Sequence, residues 1–353
     1  MRVSANHRYL QYTGRIGRDE SGAPVMIYPC TSVRLRFTGD VLRVHVRNRR
    51  LYWENSMGCL IDGALLKLDL PKEGEAVLEI PVHPAKPNDG QGGCGYHDAL
   101  LFKRQDACHE VTILGFEIED GAEILDPPAR PERRIEVYGD SVSAGEVSEA
   151  VEYTGREDPE HNGQYSNSWY SYAWMTARKL GAEIHDIAQG GIALLDGTGW
   201  FHEPDSIGME SVWDKIRYNP EFGSLSEWDF SRYTPRLVIV AVGQNDSHPE
   251  DYMKEDYNSE RAQIWRSGYR SFLENIRGKY PDAWIVCITT LLMHDASWDR
   301  SIEEVCKGMN DGRIRHYLFE RNGAGTPGHL RIPEAREMAE ELSGYINSLG
   351  IDW

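Results

Sequence analysis

The hydrophobic period of this chain changes once, and the change falls at a proline- and arginine-rich stretch, LDPPARPERR, at residues 125 to 134. Before it, apolar residues alternate. In SVRLRFTGDVLRVHVRN, Val33, Leu35 and Phe37 share one face of a strand, and Leu42, Val44 and Val46 share one face of the next. Thr-Gly-Asp between them reads as a hairpin turn. The segments GCLIDGALLKLDL, EAVLEIPV, ALLFKRQD and HEVTILGFEIED repeat the pattern between Gly, Pro, Asn and Asp. Short strands without a helix predict an antiparallel β-sandwich over residues 1–128, followed by a linker at 129–134.

From residue 135 to 353 strands and helices alternate. IEVY, AEIHDIA, RLVIVAV, AWIVCITT and RIRHYLF read as strands. NSWYSYAWMTARKLG reads as a helix capped near Asn167 or Ser168, NSERAQIWRSGYRSFLENIRGKYP as a long helix stopped by Pro281, RSIEEVCKGMN as a helix, and PEAREMAEELSGYINSLG as the last one. This order predicts a parallel sheet between two helical layers, a three-layer α/β sandwich, with its working residues just past the carboxyl ends of strands.

Charge narrows the partners. With 56 acidic against 38 basic residues, the net charge is −18, so the surface repels phosphate backbones and anionic lipid. Nucleic acid and membrane are excluded as partners, and a neutral substrate is expected. MRVSANHRYLQYTGR has no apolar leader core, and no run of about 18 apolar residues occurs, so the expectation is a soluble, cytoplasmic protein. Cysteines 30, 59, 94, 108, 287 and 306 form no CxxC and read as free, mostly buried thiols. No HExxH or His-x-His appears, so neither a metal nor another cofactor is expected.

Three strand ends and one loop hold the candidate chemistry. Ser141 follows IEVY and Gly139-Asp140, where a helix start favours developing negative charge and its own N–H can face an oxyanion. Asn245 follows RLVIVAV and can donate its amide to the same oxyanion, while Asp246 fixes the loop. Gly190 and Gly191 follow AEIHDIA and permit close approach of a ligand to the backbone. A serine needs a base. His329 stands in a Gly/Pro loop just before the last helix and suits that role better than His185 or His316 within strands, with His248 and His294 outside candidates.

Gly-Asp-Ser, then Gly after the next strand, then Gly-x-Asn-Asp, then a C-terminal His, together resemble the SGNH (GDSL) hydrolase superfamily. With the preceding sandwich and the segments GRIGRDESGAPVMIYPCTSVRLRFTGDVLRV, CLIDG, LFKRQD and VTILGFEIEDGAEIL, the chain is similar to the carbohydrate esterase family 2 acetylesterases. The resemblance implies a flavodoxin-like SGNH sandwich behind a jelly-roll-like β-domain, and removal of O-acetyl groups from plant polysaccharides or oligosaccharides such as xylan or glucomannan. By position it makes Ser141 the nucleophile, His329 the base, and Gly191, Asn245 and the Ser141 N–H the oxyanion donors, with Gly190 an alternative to Gly191. Many SGNH enzymes carry an aspartate three residues before the histidine. Here that residue is Thr326, so a Ser-His dyad is expected, any acid coming from a distant position.

Sugar recognition calls for flat aromatic surface. Trp200 in GTGWFHEP and Trp298 in HDASWDR, both read as loop residues, are the expected stacking platforms. The N-terminal domain is expected to shape the cleft. Two rival functions share parts of this reading: an SGNH lipase or thioesterase acting on longer acyl esters, and a glycan-binding protein without chemistry.

Overall fold

Alternation along the first 125 residues builds two antiparallel sheets packed face to face, each of six strands. The computed structural model describes residues 1–83 and 95–353, and Cys94 lies outside them. One sheet runs Ile16–Arg18, Pro24–Met26, His109–Ile118, Leu42–Arg50, Glu73–Ile80. The other runs Ile124–Leu125, Ser32–Phe37, His97–Lys103, Ser56–Ile61, Ala64–Asp69.

Val33, Leu35, Phe37, Leu42, Val44 and Val46 all point into the buried layer between the sheets, as the alternation predicts. The expected hairpin between their strands does not form. Ser32–Phe37 pairs with His97–Lys103, and Leu42–Arg50 pairs with His109–Ile118 and Glu73–Ile80, so Thr-Gly-Asp carries the chain from one sheet to the other. Alternation marks which face is inward but not which strand is the neighbour.

The second half is a five-stranded parallel sheet in the order Ala182–Ala188, Arg133–Gly139, Leu237–Ala241, Trp284–Cys287, Ile314–His316. Both faces are covered. Ile135, Val137 and Ile239 pack on Ala173, Ala177, Met338 and Leu342 of the helices Tyr172–Lys179 and Ile332–Ser348. Tyr138, Val238 and Val240 pack on Trp265, Tyr269 and Phe272 of the helix Glu260–Lys279. The strand order reverses at Arg133–Gly139, and ligand sites of such sheets lie at that reversal, outside the carboxyl ends of the strands. Among the described residues no helix is long and apolar enough to cross a membrane, and the five described cysteines are free and buried.

One predicted helix divides. Asn167 caps a 3₁₀ turn, Ser168–Tyr170, by accepting from Trp169 N, and Ser171 then caps Tyr172–Lys179 by accepting from Trp174 N. Two good caps four residues apart stop the helix from starting at the first.

The two halves share their cores. Val25, Ile27, Tyr28 and Cys108 join the cluster under Glu260–Lys279, and Cys30 and Phe102 join the one on the opposite face. Arg15 crosses from the sandwich into the parallel sheet, where it is buried. It donates to Trp213 O at 2.6 Å, Tyr138 OH at 2.9 Å and Glu136 Oε1 at 3.3 Å, and Tyr138 and Tyr280 hydroxyls also donate to Glu136. Removing one partner of a buried ion pair leaves the other charge uncompensated. Arg15→Met should therefore destabilise the chain by about 3–5 kcal/mol. Urea unfolding checks this, and Glu136→Leu in the same chain should restore part of the loss.

Candidate active site

Arg133–Gly139 ends in a turn that has no room for a side chain at Gly139, where a Cβ would collide with Ser143 Oγ. Asp140 then caps the one-turn helix Ser141–Ala144, its Oδ1 accepting from Val142 N at 2.9 Å. Its Oδ2 accepts from Gln244 Nε2 at 3.0 Å. Ser141 is thus presented at the edge of the sheet, with its side chain over the reversal point.

Its hydroxyl lies 2.9 Å from His329 Nε2, and His329 Nδ1 lies 2.5 Å from Asp158 Oδ2. A carboxylate only accepts, so the imidazole carries its proton on Nδ1 and leaves Nε2 free to accept from Ser141. Asp158 is held in turn: its Oδ1 accepts from His329 N and is ion-paired with the Arg331 guanidinium, each at 2.9 Å. Gly328 makes this approach possible, because a Cβ there would stand 2.6 Å from Asp158 Oδ1 and 2.7 Å from Arg156 O. The acid that the sequence left to a distant position is Asp158 in this geometry, on a loop 171 residues away, so the serine and histidine are joined by a carboxylate.

The charges set the protonation states. Burial raises the Asp158 carboxyl, but its bonds to His329 and the charges of His329 and Arg331 outweigh it and bring it down to about 2. Burial works against the His329 imidazolium, yet the Asp158 bond and the charges of Glu146, Asp158 and Asp140 hold it above the ordinary histidine value.

Gly190 and Gly191 are separated by their partners. Gly190 N–H donates to Asp106 Oδ2 at 2.9 Å, so it is engaged. Gly191, at φ +73°, makes no hydrogen bond through its N–H among the described residues and accepts from Trp200 N and Phe201 N. The Asn245 amide donates to Ile192 O at 3.0 Å and to Asp140 Oδ2 at 3.3 Å, so it reaches an oxyanion by exchanging one of these bonds. Asp246 holds the loop as expected, accepting from Leu194 N and Trp265 Nε1, and burial pushes its carboxyl up to about 7 against those donors.

Ser141, Gly191, Asn245, His329 and Trp200 all line one cavity of about 590 Å³. Trp200 is 56% exposed and stacks on His248 with ring centroids 3.3 Å apart, His248 being paired to Glu203. Trp298 is elsewhere. It sits in the helix Ala296–Gly308, fully buried, donating to Asp251 and packed on Trp265 and Tyr252. Asp295 caps that helix, so HDASWDR is a helix start whose apolar side faces the core.

The cavity also draws on residues without a sequence signal: Tyr52, Trp53 and Asp106 from the sandwich, and Glu146 and Asp158 from loops. Among the described residues, five of its lining side chains are carboxylic, Asp106, Asp140, Glu146, Glu157 and Asp158, and none is Lys or Arg. Of the other candidate histidines, His294 is bonded to Asp299 and His185 is stacked on Tyr233, and neither lines the cavity.

Comparison with known proteins agrees with this architecture. The carbohydrate esterase 2 N-terminal family model matches residues 12–128. Cellulase/esterase CelE of Acetivibrio thermocellus is 27% identical over 351 residues, 96% of this chain and 39% of that protein. An acetylxylan esterase / glucomannan deacetylase of Cellvibrio japonicus is 23% identical over 99% of this chain and 91% of that protein. The structure of a family two carbohydrate esterase from Clostridium thermocellum in complex with cellohexaose superposes with a TM-score of 0.75, at 25% identity, over 97% of this chain and 99% of that one. The chain resembles carbohydrate esterase family 2 from end to end. A second family 2 structure, from Cellvibrio japonicus, shares the fold with a TM-score of 0.80 at 22% identity, over 99% of this chain and 97% of that one. The family 2 likeness thus covers the sandwich and the parallel sheet together, while this chain spans well under half of CelE.

Proposed function

We propose that this chain is a carbohydrate O-acetylesterase acting on neutral acetylated oligosaccharides or polysaccharides. The observation that carries the reading is the line Ser141–His329–Asp158 opening into a cavity that has no Lys or Arg side chain among the described residues. Such a lining favours an uncharged substrate over uronic acids or phosphate esters. The Cellvibrio japonicus relative, an acetylxylan esterase / glucomannan deacetylase, supports the same substrate class.

The reaction is acyl transfer in two steps. Ser141 Oγ attacks the acetyl carbonyl carbon while its proton passes to His329 Nε2. The carbonyl oxygen takes up the displaced electron pair and is held by the N–H groups of Ser141 and Gly191 and by the Asn245 amide. Collapse of this intermediate breaks the bond to the sugar oxygen, which leaves with the proton from Nε2. Water then repeats the sequence on the acetyl-enzyme and releases acetate. Asp158, ionised throughout, steadies the imidazolium formed in each half.

Trp200 forms one wall for the sugar, and Tyr52 and Trp53 form another, so the N-terminal domain shapes the cleft. Trp298 has no part in it. Asn245→Ala should lower kcat by roughly 10²- to 10³-fold with the fold retained, the usual loss for one oxyanion donor. Steady-state acetate release checks this.

The functional reading is tested with acetyl, butyryl and octanoyl esters of one sugar alcohol. Activity that falls steeply with chain length is expected. Activity rising toward octanoyl would replace this reading with a lipase or thioesterase.

A further inference from the structure

Glu146 has no part in the sequence of steps above, yet it faces the reacting atoms. It follows the left-handed Gly145 that ends the Ser141 helix, and its backbone N–H is tied to Ser141 O. Its side chain is nine-tenths buried, and among the described residues its one polar approach is to His329 Nε2, at 4.0 Å. Across the cavity floor its Oε2 stands 3.0 Å from where a Gly190 Cβ would be. The carboxyl therefore lies between the base and the glycine loop that precedes the Gly191 N–H, with no donor to satisfy it.

This carboxyl lines the cavity beside His329 with its hydrogen-bonding capacity open to whatever enters. For His329 to return its proton, the departing sugar oxygen must come within about 2.6–3.2 Å of Nε2. A hydroxyl on the adjoining ring carbon is then brought toward Glu146. Resting on the esterase reading, we propose that Glu146 binds a free hydroxyl next to the acetylated position, so that the site selects partly acetylated sugars over those whose neighbouring position is blocked or reduced.

Both protonation states of the acid serve this role. Burial, opposed by His329 and reinforced by Asp106, Asp158 and Asp140, pushes the Glu146 carboxyl up to about 7. A hydroxyl donates to the carboxylate and accepts from the carboxylic acid. Recognition therefore persists across neutral pH, although the charge of Glu146 on His329 changes there.

The test compares kcat/KM for two mono-acetylated methyl glycosides, one with the neighbouring hydroxyl and one with hydrogen in its place. This ratio reports acylation alone, and any effect of Glu146 on His329 cancels in it. Wild type should prefer the hydroxylated ester by about 10- to 100-fold, the equivalent of one hydrogen bond to a charged group. Glu146→Leu should bring the ratio near one, and Glu146→Gln, which still donates and accepts, should keep most of it. A wild-type ratio near one, or a ratio that survives Glu146→Leu, overturns the role of Glu146 while leaving the esterase reading intact. Failure of wild type to hydrolyse either ester overturns both.

Discussion

Ser141→Ala is expected to lower kcat for acetate release by on the order of 10⁶-fold, the scale seen when a hydrolase nucleophile is removed from an intact base and oxyanion site. The size follows from the geometry. Alanine leaves His329 held by Asp158 and leaves the Gly191 N–H and Asn245 in place, so only the attacking oxygen is lost. The helix should also survive, because its cap is Asp140 and its contacts run through Val142 and Ala144 rather than the Ser141 hydroxyl. Residual activity within about tenfold of wild type would require a different nucleophile. Unfolding midpoints measured beside the kinetics separate lost chemistry from lost structure.

Asp158→Asn is expected to cost about 10⁴-fold in kcat, the loss seen when a carboxylate partner of a catalytic histidine becomes an amide. The structure fixes which way the amide would turn. Oδ1 of Asp158 accepts from His329 N and faces the Arg331 guanidinium at 2.9 Å, so asparagine keeps its oxygen there and presents its NH₂ to Nδ1. The imidazole then accepts at Nδ1, carries its proton on Nε2, and can no longer take one from Ser141.

The same substitution should move the pH profile. His329 works as a neutral base, so kcat/KM falls as pH drops through its pKa, which Asp158, Glu146 and Asp140 hold above the ordinary value. Loss of the Asp158 charge should shift that acidic limb to lower pH. A limb that stays in place would assign the upward shift to Glu146 and Asp140 alone.

The parts legible in the sequence are those that follow from strand ends. Ser141, Gly191 and Asn245 each stand within four residues of a strand's carboxyl end. His329 stands just before the last helix, and the geometry joins all four in one cavity. Asp158 gave no such signal. It belongs to a segment between the turn Val151–Tyr153 and Ser168 that has no period, and it reaches His329 only because Gly328 opens a gap and Arg331 draws it in. Contacts made by loops across 171 residues leave no local pattern.

Trp298 was misread for a different reason. Its helix announces itself through Asp295 as cap and through Trp298, Ile302 and Val305 at helical spacing, but the expected helix was started at Arg300. Moving the start forward turns a loop aromatic into a core residue. The sandwich shows the same limit at larger scale, since the inward faces follow from alternation while the expected hairpin between Ser32–Phe37 and Leu42–Arg50 does not form. Pairing across distant strands depends on cross-strand packing that no single strand encodes.

The most direct test of the whole account is acetate release from acetylated xylo- and gluco-configured oligosaccharides by wild type, His329→Ala and Ser141→Ala, with folding of each variant verified. The account predicts release by wild type and its loss in both variants. Absence of release by wild type, or release that persists without Ser141, would contradict it.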